Sequence, residues 1–261
     1  MSVVLTPTLG VLFVVVVLVA GAINGIAGFG FALVGTMVLA SVIDPSTAVV
    51  FMIVPILAAN LSLVRELSAD ELRTCGRRFW PLLVGALVGT VVGLLVVERL
   101  PTGPLRIALG VLSLGFVATA QQTVALPWFE RVKTGCFVER PLAMVGVGGL
   151  SGVVFGGTNV GVQLIAYVRS FDLSHGLFVG VVAMVFLGLN GVRVLAAGAL
   201  GLYPDGTTFA LSVLAAVPAL VGVSVGRRLR ARISDQWRRR LVLGVLAVIG
   251  VRLLAGGLGL F

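Results

Sequence analysis

Charged residues are scarce in this chain of 261 residues. They make up 11% of the sequence, against about 25% in an ordinary soluble domain, whereas hydrophobic residues make up 59% and the mean hydropathy is +1.16. A water-soluble fold could not bury that much apolar surface. About eight apolar stretches, each near the roughly 20 residues that one bilayer crossing needs, are separated by short polar breaks. We therefore expect an all-α polytopic membrane protein with no soluble domain attached.

Histidine and cysteine are almost absent. His175 is the single histidine, and the two cysteines, Cys75 and Cys136, form no CxxC motif. We therefore expect no metal or redox site and no cofactor. A serine protease within the membrane would need a base beside its nucleophile, and the single histidine is predicted to begin a helix beside a cytoplasmic turn. The chain is predicted not to be an enzyme, with an intramembrane enzyme as the least favoured alternative.

Acidic residues are missing from the apolar segments. All ten lie in predicted loops or at segment ends, so a carboxylate proton relay is not visible, and coupling to protons or sodium stays open. The formal net charge is +9, and the basic residues stand between apolar segments. They are expected to set topology and to face anionic lipid rather than nucleic acid. Positive groups and neutral donors without buried acids favour a small anionic substrate.

The two halves of the chain repeat a pattern of glycine, proline and arginine. The fourth apolar segments share Arg-x-x-Leu-Gly-Val-Leu, beginning at Arg106 and at Arg240. The other matches are Gly21, Asn24, Gly25, Gly30, Asn60, Pro81, Gly85 and Gly89 against Gly148, Ser151, Gly152, Gly157, Asn190, Pro218, Gly222 and Gly226. Hydrophobicity alone would not match these residue types, so duplication is indicated. The predicted units are residues 1–126 and 127–261, which together form one transport domain.

The arginines predict how the segments cross the membrane. The loops at 65–78 and 227–240 hold four and seven arginines, so both should be cytoplasmic. Five predicted segments lie between these loops, and five crossings would put the loops on opposite sides of the membrane. One of the five segments should therefore not cross. The glycine-broken first segments, 9–42 and 141–170, are the candidates for re-entrant hairpins, with breaks expected at Gly25–Gly30 and Gly156–Asn159. Each unit then crosses the membrane three times. The spans lie near 46–64, 79–97 and 103–120 in the first unit, and near 174–200, 207–226 and 239–258 in the second. Three crossings per unit invert the second repeat relative to the first and place Arg99 and Arg106 outside.

The candidate substrate site lies at the two breaks, because backbone groups interrupted at membrane depth must line a cavity or bind a ligand. Arg193 is the strongest clue, since a charge within an apolar span normally faces a pore, a partner or a ligand. Two alternatives stay open: the glycines only permit close helix packing, or Arg193, like Arg252, snorkels to the interface. The predicted substrate-binding residues are Asn24, Gly28, Gly30, Asn60, Ser151, Gly156, Gly157, Thr158, Asn159, Gln163, Asn190 and Arg193.

The chain resembles the sulfite exporter TauE/SafE family over nearly its whole length. The resemblance rests on Asn24-Gly-Ile-Ala-Gly-Phe-Gly30, on Gly149-Leu-Ser-Gly152 with the following glycine pair, and on Asn190-x-x-Arg193. It implies a two-repeat permease for sulfur-containing anions such as sulfite or sulfonates. The family's usual second-repeat Gly-x-Gly-Gly-Pro is here Phe155-Gly-Gly-Thr-Asn159, and we hypothesise that this enlarges the polar part of the site.

Together these features predict a secondary transporter in a prokaryotic cytoplasmic membrane, working by alternating access on a small sulfur-containing anion. An anion channel is the main alternative, because broken helices could equally line an open pathway. The predicted partners are the anion, membrane lipid and a coupling ion. The sequence indicates neither the direction of transport nor the oligomeric state.

Overall fold

The structure is a computed structural model that describes residues 7–27, 30–65, 68–120, 141–169, 175–230, 232 and 235–259. Within these ranges the chain forms twelve helices: α1 (Pro7–Ala27), α2 (Phe31–Ala40), α3 (Pro45–Phe51), α4 (Ile53–Val64), α5 (Ala69–Arg99), α6 (Thr102–Ala120), α7 (Pro141–Thr158), α8 (Val162–Arg169), α9 (His175–Ala199), α10 (Gly206–Leu214), α11 (Ala216–Arg230) and α12 (Asp235–Gly257). Cys136 lies outside the described residues.

Several of these helices are apolar and long enough to cross a membrane. By length and composition, the described residues contain five such stretches: Pro45–Val64, Ala69–Val97, Pro141–Thr158, Gly180–Ala199 and Gly206–Arg230. Shorter apolar helices add Gly10–Ile26, Phe31–Ala40, Thr102–Gly115 and Leu246–Gly257. The prediction of an all-α polytopic membrane protein is confirmed. Which of these helices cross and which re-enter stays a prediction.

Both first segments are interrupted, as predicted. α1 ends at Ala27 and α2 begins at Phe31, and α7 ends at Thr158 and α8 begins at Val162. The second break lies later than the predicted Gly156–Asn159, because α7 continues helically through its glycine pair. That continuation is possible because α7 packs closely against α5, where a Cβ on Gly156 would lie only 2.2 Å from the Thr90 carbonyl oxygen.

Four other predicted spans differ from the observed helices. The span near 207–226 is two helices, α10 and α11, and α11 continues to Arg230, while α12, in the span near 239–258, begins at Asp235. α5 begins at Ala69, ten residues before the predicted span, because Ser68 and Glu71 form a capping box at its N-terminus. Arg73, Arg77 and Arg78 therefore lie on a helix and not in a loop.

The predicted span near 46–64 is two helices, α3 and α4, that meet at Met52. Pro55 has no N–H to donate to the carbonyl of Phe51, four residues earlier. The Ser212 hydroxyl donates to that carbonyl instead, at 2.5 Å. A residue of α10 therefore satisfies the backbone group that the proline leaves free.

Close glycine contacts join the two predicted units. α1 packs parallel to α11, where a Cβ on Gly25 would lie 2.2 Å from the Val223 carbonyl oxygen. α7 packs parallel to α5 in the way that α1 packs on α11. A Cβ on Gly152 would lie 2.3 Å from the Ala86 carbonyl oxygen. Gly25 and Gly152 are matched residues of the repeat, and so are the positions they contact. Each unit thus packs its first segment on the third segment of the other unit.

The fourth segments pack against each other in opposite directions. A Cβ on Gly257 would lie 3.0 Å from the Gly103 carbonyl oxygen, and one on Gly110 would lie 2.9 Å from the Gly250 carbonyl oxygen. Residues early in α6 thus meet residues late in α12. This antiparallel pairing of matched helices is the arrangement that inverted repeats require, and the inversion across a bilayer stays a prediction.

The apolar core has two parts that flank the breaks. The larger part gathers buried side chains of α1 to α4 with parts of α6, α11 and α12. The smaller part lies between α5, α7, α8 and α9 and includes Phe79, Phe155 and Phe186. The two helix breaks lie between these parts, and so the polar groups at the breaks are enclosed by apolar side chains.

Candidate functional site

The two helix breaks border one central cavity. It is lined by Asn24, Gly30, Phe31, Ala32, Leu33, Ile56, Asn60, Asn159, Gly161, Ile165, Val182 and Phe186. Three of these side chains carry amides, and the rest are apolar or glycine. Four of the predicted site residues, Asn24, Gly30, Asn60 and Asn159, therefore meet at one place, although they come from three different parts of the chain.

The N-terminal turns of α2 and α8 both reach the central cavity. Phe31 begins α2, and Gly161 directly precedes the first residue of α8. The N–H groups of a first helical turn have no partner within the helix, and they carry the positive end of the helix dipole. The Asn24 side-chain oxygen accepts one of them, from Phe31, at 3.4 Å. The remaining N–H groups favour a negatively charged ligand.

Backbone conformation at each break depends on a residue that tolerates positive φ. Gly30 has φ 105° and Asn159 has φ 60°. Among residues with a side chain, asparagine is one of the few that adopt this left-handed region readily. Asn159 therefore ends α7 without the strain that a β-branched or bulky residue would have there.

The Asn159 side chain also joins three parts of the fold. Its Nδ2 donates to the Thr36 hydroxyl at 2.8 Å and to the Val49 carbonyl at 3.0 Å, and its Oδ1 accepts from Arg193. The side chain is completely buried. Asn159 thus holds α2, α3 and α9 together while it borders the central cavity.

Arg193 lies behind Asn159, with its side chain 0% exposed. Besides Asn159, its guanidinium donates to the Asn190 Oδ1 at 3.3 Å and to the Gly156 carbonyl at 3.1 Å, and its Cζ lies 5.1 Å from the centre of the Phe155 ring. Snorkelling to the interface is therefore not the arrangement found. In the part of the chain that the structure describes, no carboxylate pairs with this charge, so it is balanced only by neutral dipoles.

Asn60 differs from the other amides because it is not tied to protein. Its side chain is 8% exposed and borders the central cavity, and no hydrogen bond of the described residues engages its amide group. Its repeat counterpart Asn190 is committed, since its Nδ2 donates to the Phe186 carbonyl at 2.8 Å. Asn60 is therefore the amide most available to a ligand.

The other predicted residues lie away from the central cavity or outside the description. Gly156 and Gly157 lie in α7 and face α5, consistent with the packing alternative for these glycines. Ser151 is buried in α7, and the Thr158 hydroxyl donates to the Val154 carbonyl at 2.6 Å. Gly28 lies outside the described residues, and for Gln163 only the backbone, at the start of α8, is described.

Two residues at the site were not predicted from the sequence. The Thr36 hydroxyl accepts a hydrogen bond from Asn159. The ring of Phe155 lies beneath the guanidinium of Arg193. The centre of that ring is 4.9 Å from the ring centre of Phe186, which borders the central cavity. A signal for Thr36 was present, since a hydroxyl in an otherwise apolar ten-residue helix needs a partner. An aromatic beside a glycine pair carries no comparable signal.

A known protein family matches most of the chain. The sequence model of the family described as sulfite exporter TauE/SafE matches residues 13–253, which includes both helix breaks and Arg193. The chain belongs to the sulfite exporter TauE/SafE family. No curated protein and no solved structure matches it.

Membership of the TauE/SafE family confirms three of the predictions. The protein is a multi-pass membrane protein, it belongs to a family of transporters for sulfur-containing anions, and it is not an enzyme. The cluster at the breaks is therefore the candidate substrate site of a TauE/SafE transporter, built from Asn24, Asn60, Asn159 and the charge of Arg193.

Proposed function

We propose that this TauE/SafE protein carries a small sulfur oxyanion, with sulfite as the best fit, across the cytoplasmic membrane of a prokaryotic cell. The observation that carries the proposal is the central cavity. It is bordered by two helix N-termini and three asparagines, and the unpaired charge of Arg193 stands directly behind one of them.

The size of the central cavity favours a small anion. Its volume, counted for the centres of water molecules, is about 40 Å³. One water needs roughly 10–15 Å³ on this measure, so the space holds about three or four water-sized groups. A sulfur atom with its oxygens fits this space, whereas an aromatic sulfonate does not fit without rearrangement of the lining side chains.

The charges near the central cavity favour an anion over a cation. Arg193 contributes a full positive charge, and the first turns of α2 and α8 contribute partial ones. An oxyanion at the cavity could accept hydrogen bonds from the Asn60 amide and from free backbone N–H groups. Hydrogen bonds to a charged group stabilise by about 1.5–3 kcal/mol each, net of the hydrogen bonds to water that they replace.

Alternating access is the mechanism that the packing favours. The site lies between segments of the two repeats, and each first segment packs on the third segment of the other unit. Movement of one repeat against the other would open the central cavity to one side of the membrane and then to the other. Asn159 would then exchange partners among Thr36, Val49 and Arg193 as the packing changes.

Counterflow in proteoliposomes tests the proposal. Vesicles loaded with unlabelled sulfite under argon should take up labelled sulfite faster than empty vesicles, and uptake should saturate. Asn60→Ala should raise the KM for sulfite by about ten-fold or more, since it removes a donor to a charged ligand. Toluenesulfonate should compete weakly, because it exceeds the size of the central cavity.

Ser224→Ala is the matched control. Ser224 is exposed on α11, and its hydroxyl donates to the Leu220 carbonyl at 2.8 Å, so its loss should leave the KM unchanged. Uptake that is linear in sulfite and shows no counterflow would instead establish a channel. Saturable uptake with a normal KM in Asn60→Ala would place the substrate elsewhere.

A further inference from the structure

A second cavity in the protein is bordered by two arginines from different repeats. It is lined by Ser41, Arg106, Arg252, Leu253 and Gly256, and we call it the arginine cavity. Arg106 lies in the second turn of α6, Arg252 lies near the end of α12, and Ser41 follows the last residue of α2. None of these residues borders the central cavity.

The packing of α6 against α12 brings the two arginines to similar heights. Gly103 contacts Gly257 and Gly110 contacts Gly250, so a step of seven residues forward along α6 matches a step of seven residues back along α12. On this register Arg106 lies level with residue 254, two residues from Arg252. At 1.5 Å per residue the two arginines differ in height by about 3 Å.

One guanidinium lies next to a glycine of the neighbouring helix. A Cβ built on Gly256 would have Nη1 of Arg106 as its nearest neighbour, at 4.0 Å. The Arg106 side chain therefore lies over Gly256, and the cavity beside it measures about 150 Å³ for the centres of water molecules. One water needs roughly 10–15 Å³ on this measure, so the arginine cavity has room for a partly hydrated oxyanion group.

The two positive charges have no protein partner in the part of the chain that the structure describes. No hydrogen bond or ion pair engages either guanidinium there, and Nε of Arg106 is buried without an acceptor. Two like charges facing one cavity repel each other. An anion bound between the two guanidinium groups would attract both of them, and these two attractions would oppose the repulsion.

Neutralising the carbonyl ends of α2 and α12 would be another use for these arginines. That use would place their N–H groups on the last carbonyls of those helices, and neither guanidinium donates to them. The repeat also argues for a specific role. Arg106 matches Arg240, but the position matching Arg252 is Ala118 (252 − 134). The arginine pair therefore exists in only one of the two equivalent places.

We propose that the arginine cavity is a second binding site for an oxyanion group, on the side of the membrane where α2 ends. The group is a sulfur oxyanion, an organic sulfonate or the phosphate of a lipid headgroup, all of which present the same oxygens to Arg106 and Arg252. α2 leads from this site to the central cavity, over ten residues or about 15 Å. The site gathers anions next to the central cavity.

Equilibrium binding of labelled sulfite to purified protein in detergent, under argon, tests the second site. The wild type should bind at two classes of site. Arg106→Gln with Arg252→Gln should weaken one class by about ten-fold or more and leave the other, whereas Asn60→Ala should do the reverse. Arg106→Lys with Arg252→Lys should keep much of the binding. Arg240→Gln, the repeat counterpart, should bind as the wild type does.

The same measurement in nanodiscs identifies the source of the oxyanion group. If lipid phosphate occupies the arginine cavity, nanodiscs of phosphatidylcholine and of phosphatidylglycerol, which both carry that phosphate, should each bind less sulfite than the wild type in detergent, and the double Gln variant should show no such difference. If free anions occupy it, phosphatidylcholine nanodiscs should bind sulfite as the protein in detergent does. The proposal rests on the proposed function only for the identity of the shared anion.

The two proposals can fail separately. If the double Gln variant keeps the unfolding temperature and both binding classes of the wild type, the arginine cavity is not an anion site. If that variant loses its class while Asn60→Ala changes nothing, the central site is wrong and the arginine cavity stands.

Discussion

The guanidinium of Arg193 donates to the side-chain oxygen of Asn159, and so a residue in the second half of α9 is bonded to the residue that directly follows α7. The same asparagine borders the central cavity and bonds Thr36 on α2. Charge, helix break and cavity are thus joined through one amide. A substitution at any of these groups should therefore alter both the stability of the fold and the binding of substrate.

Replacing Arg193 separates its charge from its hydrogen bonds. Arg193→Gln removes the charge next to the central cavity and should raise the KM for sulfite by roughly ten- to one hundred-fold. Arg193→Lys keeps the charge, but an ammonium group is not planar and cannot bond Asn159, Asn190 and Gly156 at once. The Lys variant should therefore bind sulfite more tightly than Arg193→Gln and unfold at a lower temperature than the wild type. Counterflow and unfolding temperature in detergent measure the two effects. A folded Arg193→Gln protein with the wild-type KM would contradict the electrostatic role.

Asn159 should show separate effects of backbone and side chain. At φ 60°, alanine costs about 1–2 kcal/mol more than glycine. Asn159→Gly should therefore unfold at a higher temperature than Asn159→Ala, while both lose the bonds to Thr36 and Arg193 and should have a similarly raised KM. Equal unfolding temperatures for the two variants would mean that the backbone at this break relaxes freely.

Asp44 should give the protein a stability contribution that depends on pH. Burial raises its pKa, but hydrogen bonds from Ser46 and Thr47 outweigh that effect, and its pKa lies below the usual value of 3.8. A lowered pKa means that the charged form stabilises the fold above the unfolded pKa, and that this stability is lost as pH falls through the folded pKa. Since Asp44 also caps α3, Asp44→Ala should cost about 1 kcal/mol at pH 7.

Unfolding temperatures at pH 7 and at pH 3 measure this contribution. The difference between wild type and Asp44→Ala should shrink at the lower pH, because the wild-type carboxylate begins to take up a proton there. A difference that is the same at both pH values would mean that the neutral carboxylic acid caps α3 equally well.

The sequence predicted which polar residues gather at the helix breaks better than it predicted the helix ends, and that these residues bind substrate stays a prediction. Asn24, Asn60, Asn159 and Arg193 were recognisable because polar groups in apolar segments need a reason to be there. Their grouping followed from the duplicated glycine pattern, which predicted that both first segments break. The end of α7 was predicted too early, because Gly156 and Gly157 favour a break locally, while their packing on α5 keeps them helical.

Contacts between distant segments could not be predicted in this way. Nothing near Ser212 in the sequence indicates that it bonds the carbonyl that Pro55 leaves free on Phe51. Arg106 and Arg252 each look like an isolated interfacial charge, and only the antiparallel register of α6 and α12 brings them to one cavity. Such relationships depend on which helices are neighbours, and local patterns do not carry that information.

Matched glycines of the two repeats should be equally intolerant of a side chain. A Cβ on Gly25 or on Gly152 would lie 2.2 Å or 2.3 Å from a backbone carbonyl oxygen of the neighbouring helix, and a backbone group can move away only if the helices separate. Gly25→Ala and Gly152→Ala should each lower stability by about 1–3 kcal/mol. Fluorescence-detected size exclusion after heating measures the loss.

Gly146→Ala is the matched control within α7, because no atom lies within 4 Å of its added Cβ. It should be neutral or slightly stabilising, since alanine is favoured over glycine within a helix by up to about 1 kcal/mol. If Gly152→Ala were tolerated as well as Gly146→Ala, the close packing of α7 on α5 would be wrong. If only one of the matched pair were tolerated, the two interfaces would not be equivalent, and the movement proposed for one repeat could not be transferred to the other.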